Sequence, residues 1–204
     1  MLLGEWGSPT RATTDGNPVE QARYRKVYQV TVNELDARSI GGIKAWFCGA
    51  RKPIPVPGST NWMTWAIFSD KSPAGRVERK YITDVIVRPR PLVVAGRLKQ
   101  YGYDFTERRF EMIVETNPGL GSTEIFVPAE RHYPQGFRAA IGPDLTLVHT
   151  PHALKLATER AAGPTHREQA RLVSWDDDSQ RLSIQKWLGN AQPLTLTILP
   201  REPV

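Results

Sequence analysis

Met1-Leu2-Leu3-Gly4-Glu5-Trp6-Gly7 is the stretch on which the reading of the whole chain turns. Three apolar residues lead into a glycine, a lone carboxylate, an aromatic and a second glycine. A short apolar run closed by a turn signal reads as a buried strand. Its C-terminal end carries Glu5, and barrel folds hold their catalytic groups at the C-terminal ends of their strands. Trp6 beside it can stack on a sugar ring, or raise a neighbouring pKa by excluding water. Taken alone, a strand-end glutamate in a turn is more often a satisfied structural acid, so the residues that follow decide.

Outward from Gly7, a polar loop reaches Asn17-Pro18-Val19-Glu20. Asn17 can cap a helix, Pro18 suits its first position, and Glu20 stands where a capping box needs it. Apolar residues at Tyr24, Val27, Tyr28 and Leu35 recur near a helical period, predicting a helix from Pro18 to about Arg38 with both tyrosines packed in the core. Ser39-Ile40-Gly41-Gly42 breaks it, and Ile43 to Cys48, with Trp46 and Phe47, reads as a second strand. Strand, helix and strand with short connections make a βαβ unit with parallel strands. Arg51 to Thr60 is too rich in Pro and Gly for regular structure. Ser69 to Gly75 reads as a turn, and Arg76 to about Val87 as a helix with Val77, Tyr81, Ile82 and Val85 on one face. Arg88-Pro89-Arg90-Pro91 ends that helix and marks a domain boundary, giving domains at 1–90 and 91–204.

Beyond Leu92 the pattern shortens. Strands are expected at Leu98–Phe105, Phe110–Glu115, Thr123–Pro128, Phe137–Ile141, Leu145–His149, Ala170–Trp175, Leu182–Trp187 and Leu194–Ile198. Thr106 to Arg109 and Asp176-Asp177-Asp178-Ser179 read as turns. Short strands at this spacing predict an antiparallel sandwich or barrel. Pro151 to Glu168 breaks the pattern, as a polar insertion or a short helix within Ala153–Ala161.

The formal net charge is +6, but residues 1–90 hold 14 Lys+Arg against 8 Asp+Glu, while 91–204 hold 13 of each. The excess is scattered over a mixed surface rather than gathered in a phosphate-binding stripe, which argues against nucleic acid as partner. Cys48 is the only cysteine, so neither an intrachain disulfide nor a cysteine-ligated zinc site is available. No apolar run approaches the roughly 20 residues that span a bilayer, and no signal peptide precedes the first strand, so a soluble chain is expected. His132, His149, His152 and His166 lack metal-ligand spacing, and Asp176–Asp178 reads as an acidic hairpin tip before a calcium site. Ser8 lacks the Gly-x-Ser-x-Gly context of a serine hydrolase. Trp62 and Trp65 could line a groove or fill a core. No cofactor or metal is expected.

In this order the elements resemble the C-terminal part of glycoside hydrolase family 5, the cellulase family, within its endoglycoceramidase-like and glucosylceramidase-like subgroup. Leu2 to Gly7 is similar to the nucleophile segment at the end of barrel strand seven, and Ile43 to Phe47, with Trp46, to strand eight and its sugar-stacking tryptophan. Val87 to Gly96 resembles the hinge that leaves the barrel. Thr123 to Pro128, followed by His132-Tyr133-Pro134, resembles the appended β-sandwich. The implied fold is the C-terminal remnant of a (β/α)8 TIM barrel followed by an antiparallel β-sandwich. The implied function is hydrolysis of O-glycosyl bonds by retention, on a glucosylated lipid such as glucosylceramide or a steryl glucoside, with peripheral membrane contact as the corresponding partner surface. Glu5 would be the nucleophile, and Trp46 and Trp6 would bind substrate.

Retaining glycosidases need two carboxyl groups roughly 5–5.5 Å apart. In this family the partner acid follows an asparagine on an earlier strand. The pair Asn33-Glu34 lies on the predicted helix, after the nucleophile, and is a decoy. Two strands and two helices cannot close an eight-stranded barrel. The expectation is therefore a fragment, a truncated gene product or one end of a longer protein, inactive as an isolated polypeptide, with the missing barrel half upstream and the first 90 residues, whose apolar strand edges lack neighbours, either poorly ordered or covered by another chain. The alternative is a non-catalytic sandwich that binds carbohydrate or lipid or buttresses a barrel. A binding sandwich would present a planar row of aromatics, for which Tyr101, Tyr103, Tyr133 and Trp175 are the candidates.

Overall fold

The computed structural model describes residues 2–8, 10–11, 14–39, 41–44, 54–55, 62–64, 67–72, 75–151, 153–157, 164–186 and 193–201. They fall into two compact units, Met1–Val87 and Arg88–Val204.

In the first unit, β1 (Leu2–Trp6), β2 (Thr10–Arg11), α1 (Pro18–Ala37) and β3 (Gly41–Lys44) follow in order. β1 and β3 pair in parallel, Leu2 opposite Gly41, so α1 is the crossover of the expected βαβ unit. Asn17 caps α1, its Oδ1 accepting from the amides of Val19 at 3.1 Å and Glu20 at 3.2 Å. The expected capping box is rearranged: the Asn17 amide donates to the Thr14 carbonyl, and Glu20 accepts from the Thr14 hydroxyl at 3.0 Å. α1 ends at Ala37, and beyond it Ser39 takes a left-handed φ of 50° and donates its amide to the Asp36 carbonyl. Tyr28, Val32 and Asp36 form its buried stripe, while Val27, expected on the core face, is exposed.

Three further expectations for this unit are corrected. Ile54–Pro55 is a short strand, β4, pairing with β5 (Trp62–Thr64), which also pairs with β2. Ser69 to Gly75 is no simple turn, because β6 (Phe68–Ser72) and β7 (Gly75–Glu78) form a hairpin. That pairing takes residues from the predicted second helix, so α2 is only Lys80–Ile86; Tyr81, Ile82 and Val85 are buried as expected and Val77 is exposed on its strand.

One ion pair ties this unit together across 64 residues of sequence. Arg79 donates from Nε to Asp15 Oδ1 at 2.7 Å and from Nη2 to Oδ2 at 2.8 Å, while its Nη1 reaches the Phe68 carbonyl at 3.1 Å. The Tyr81 hydroxyl donates to Asp15 Oδ1 at 3.1 Å. Both charged side chains are under one-tenth exposed. Such a pair gains little over apolar packing, but breaking it leaves one buried charge alone.

The second unit is an antiparallel β-sandwich. Its strands are β8 (Arg90–Val93), β9 (Gly96–Asp104), β10 (Arg109–Thr116), β11 (Thr123–Phe126), β12 (Phe137–Ile141), β13 (Leu145–Thr150), β14 (Ala153–Leu156), β15 (Val173–Asp176), β16 (Arg181–Ile184) and β17 (Leu194–Pro200). One sheet has the order β14-β13-β12-β17-β10-β9, the other β15-β16-β11-β8. α3 (Ala129–His132) links β11 to β12, and α4 (Pro164–Arg171) precedes β15. Burial alternates along the central strands. Phe110, Met112 and Val114 of β10, Leu194, Leu196 and Ile198 of β17, and Phe137, Ala139 and Ile141 of β12 face Ile125, Leu182 and Ile184 of the other sheet in one core. Two expectations fail here. Ala153 to Leu156 is a strand, because it pairs back on β13, with Leu147 opposite Leu156. Ala170 and Arg171 belong to α4, so the next strand starts only at Val173.

α3 is held by the β9–β10 hairpin. The Tyr133 hydroxyl donates to the Arg108 carbonyl at 3.0 Å, and Arg108 Nη1 donates to the His132 carbonyl at 3.3 Å. Asp104 sets the hairpin turn by accepting from the amides of Thr106 and Glu107, which lowers its pKa. Gly136 enters β12 with φ of 92°, and a Cβ there would lie 2.1 Å from the His149 carbonyl oxygen.

Two outcomes follow from this packing. Gly136→Ala combines a disfavoured φ with a backbone collision and should lower stability by about 3 kcal/mol or more, read as the urea midpoint, whereas an unchanged midpoint would contradict the assigned geometry. Asp15→Asn should cost about 3 kcal/mol by stranding the Arg79 guanidinium, read as lost amide protection along α1 in hydrogen exchange.

Candidate functional site

Glu5 is the next-to-last residue of β1, on the parallel strand pair, so its backbone stands at the C-terminal end expected for it. Its side chain lies outside the described residues, as does the whole of Trp46. Trp6 is described and partly buried, with its ring 5.7 Å from that of Tyr28 on α1. Tyr28 also clips the segment leaving β1: its hydroxyl accepts from the Ser8 amide at 3.1 Å and donates to the Ser8 carbonyl at 3.2 Å. Burial raises the Tyr28 pKa, so it stays a neutral donor and acceptor. The Trp6 indole nitrogen is buried with no hydrogen-bond partner among the described residues. The chain exit beside Glu5 is thus fixed by α1, and α1 is fixed at its start by Asp15 and Arg79. Sequence reading placed Tyr28 in the core without seeing its polar role, because the 20-residue separation from Ser8 carries no signal of that bond.

The decoy pair behaves as a surface pair. Asn33 and Glu34 are exposed on α1, and Glu34 bonds Arg38 one turn on at 2.9 Å. Trp65, His152 and Trp187 fall outside the described residues, and Trp62 is described only as a strand position.

In the sandwich, the candidate aromatics form no planar row. Tyr103 and Tyr133 are 3% and 2% exposed and belong to the core. They continue into a cluster at one end of the sandwich. Phe137 stacks on His149 at 4.4 Å and 14°, and Trp175 meets Phe137 at 5.4 Å and His149 at 4.7 Å. Trp175 Nε1 donates to Asp177 Oδ1 at 2.9 Å. His149 is 3% exposed, and its Nδ1 has no hydrogen-bond partner among the described residues. Burial lowers its pKa, against a smaller upward pull from the Asp177 carboxylate, so the ring is neutral near pH 7. Asp176 shapes the hairpin tip by accepting from the Ser179 amide at 3.1 Å, which lowers its own pKa.

Residues 88–185 match the family model of the glycoside hydrolase family 5 C-terminal domain. The chain also shares a fold with three crystal structures of Cryptococcus neoformans sterylglucosidase 1, with hit 1, with hit 9 and with tris. The first two superpose with TM-scores of 0.58 and 0.57 at 15% and 14% identity, each covering 98% of this chain. The chain spans 28% and 29% of the length of those two structures. No curated protein matches it.

The lowered His149 pKa has a definite sign in stability. Below the unfolded value of about 6.5 the unfolded chain binds a proton that the native ring resists, so stability falls as pH drops from there towards the native pKa. His149→Phe keeps a ring in the stack and should flatten this part of the pH profile of the urea midpoint between pH 7.5 and 5; an identical slope in both proteins would exclude His149 as its source.

Proposed function

We propose that this chain is the C-terminal part of a retaining β-glycosidase that hydrolyses the O-glycosyl bond of a glucosylated lipid, such as a glucosylceramide or a steryl glucoside. The observation that carries the reading is the order of parts. A family 5 C-terminal domain follows a βαβ unit whose first strand bears Glu5 near its C-terminal end. We read residues 1–90 as the last βα units of a TIM barrel and 91–204 as its appended sandwich, with the remaining barrel supplied upstream. The fold shared along 98% of the chain supports this division.

In this reading Glu5 is the nucleophile. Its carboxylate attacks the anomeric carbon as the glycosidic C–O bond breaks, and an acid on the upstream barrel gives its proton to the leaving oxygen. That acid, now a base, takes a proton from water, which displaces Glu5 and releases the sugar with its configuration retained. Trp46 stacks on the sugar. Trp6, with its ring against Tyr28, walls the site beside Glu5. A glycolipid substrate brings the protein to a membrane surface. No nucleic acid and no cofactor enters the reaction.

The test uses the complete reading frame that encodes this chain. Its product should hydrolyse 4-nitrophenyl β-D-glucopyranoside, and Glu5→Gln should lower kcat by about 10³-fold or more. A 2-deoxy-2-fluoro-β-D-glucoside should label the peptide containing Glu5, detected by mass spectrometry. Labelling of another carboxylate would overturn the assignment, and the 204-residue chain alone should show no turnover.

A further inference from the structure

β14 and β15 are edge strands of the two sheets, and α4 packs against both. Beside them lies a cleft of about 360 Å³ whose lining includes His149, Thr150, Leu154, Ser174, Trp175 and Asp177. That volume is at the low end of ligand pockets, which run from about 300 to 1,000 Å³. The cleft belongs to the second unit alone and takes no part in the role proposed for Glu5.

Its chemistry is specific. Apolar surface comes from Leu154 and the partly buried Trp175. Asp177 spends Oδ1 on the Trp175 indole at 2.9 Å, which holds the ring in place and leaves the second carboxylate oxygen to accept. Thr150 donates its hydroxyl to the Ala153 carbonyl at 3.3 Å, so toward the cleft it can only accept, whereas exposed Ser174 can donate or accept. His149 lines it as a neutral ring. No Lys or Arg is among the described lining residues, and the only full charge is a carboxylate, so an anion is disfavoured. A quaternary ammonium group seeks several aromatic faces around one cation, and a single partly buried tryptophan does not make that cage. A hydroxyl-rich ring fits better. Its C–H surface can lie on Trp175 and Leu154, and its hydroxyls can donate to Asp177 and Thr150 and exchange with Ser174.

We propose that this cleft is a saccharide-binding site, sized for one or two sugar rings. The 204-residue chain would be titrated with methyl β-D-glucopyranoside and with cellobiose, following the Trp175 indole N–H in ¹H–¹⁵N spectra, the peak identified by its loss in Trp175→Phe. The expected result is a saturable shift with a dissociation constant on the order of 1 mM. Ser174→Ala alters an exposed residue and should weaken it about tenfold with the urea midpoint unchanged, and Asp177→Ala, which also removes the acceptor of the Trp175 indole, should weaken it at least as much. The proposal falls if neither sugar moves the peak, if both variants bind as the parent does, or if choline or glycerol shifts the peak as tightly as the glucoside.

Discussion

The sandwich depends on β17. Among the described strands, every hydrogen bond joining the β12–β13–β14 meander to the β9–β10 hairpin runs through it, with Ile198 opposite Phe110 on one side and Ala139 on the other. β17 lies about 80 residues after β10 in sequence. The chain must therefore close a long loop before its larger sheet exists, and that closure entropy is recovered only when Leu194, Leu196 and Ile198 enter the core. The match to the family 5 C-terminal domain ends at residue 185, before this strand, yet the sandwich is completed by it.

In the first unit the same dependence falls on polar contacts. The chain on leaving the parallel pair β1–β3 is fixed by Tyr28 of α1 gripping both backbone groups of Ser8. α1 is placed in turn by the turn before it, whose Asp15 is locked to Arg79 at the start of α2. Segments far apart in sequence are connected through one ion pair and one phenol. A substitution in either should act on the surroundings of residue 5 without touching residue 5.

Strand identity in the sandwich was readable because each sheet has one buried face, so period-two alternation survives in Phe110-x-Met112-x-Val114 and in Leu194-x-Leu196-x-Ile198. The helix Pro18–Ala37 was readable because Asn17 and Pro18 punctuate its start. The failures share one cause, which is pairing partners distant from the local pattern. Ala153 to Leu156 has no alternation of its own and becomes a strand only because β13 offers an edge. Arg76 to Glu78 looks like a helix start until β6 pairs with it. The Arg79–Asp15 pair and the Tyr28–Ser8 bonds leave no trace in spacing, since hydrogen-bond partners across 20 or 64 residues obey no period.

His149 was set aside for lacking metal-ligand spacing, and in the fold it is a neutral ring stacked on Phe137 beneath Trp175. Its position on β13 follows from alternation, because residues 145, 147 and 149 share the buried face. A leucine there would have extended the core to the end of the sandwich and closed it with aliphatic surface. A flat ring permits the stack, and the stack supports a tryptophan whose indole nitrogen then needs an acceptor, which Asp177 at the hairpin tip supplies. The cleft beside β14 and β15 thus owes its aromatic and carboxylate lining to one polar residue placed at the last inward position of a strand.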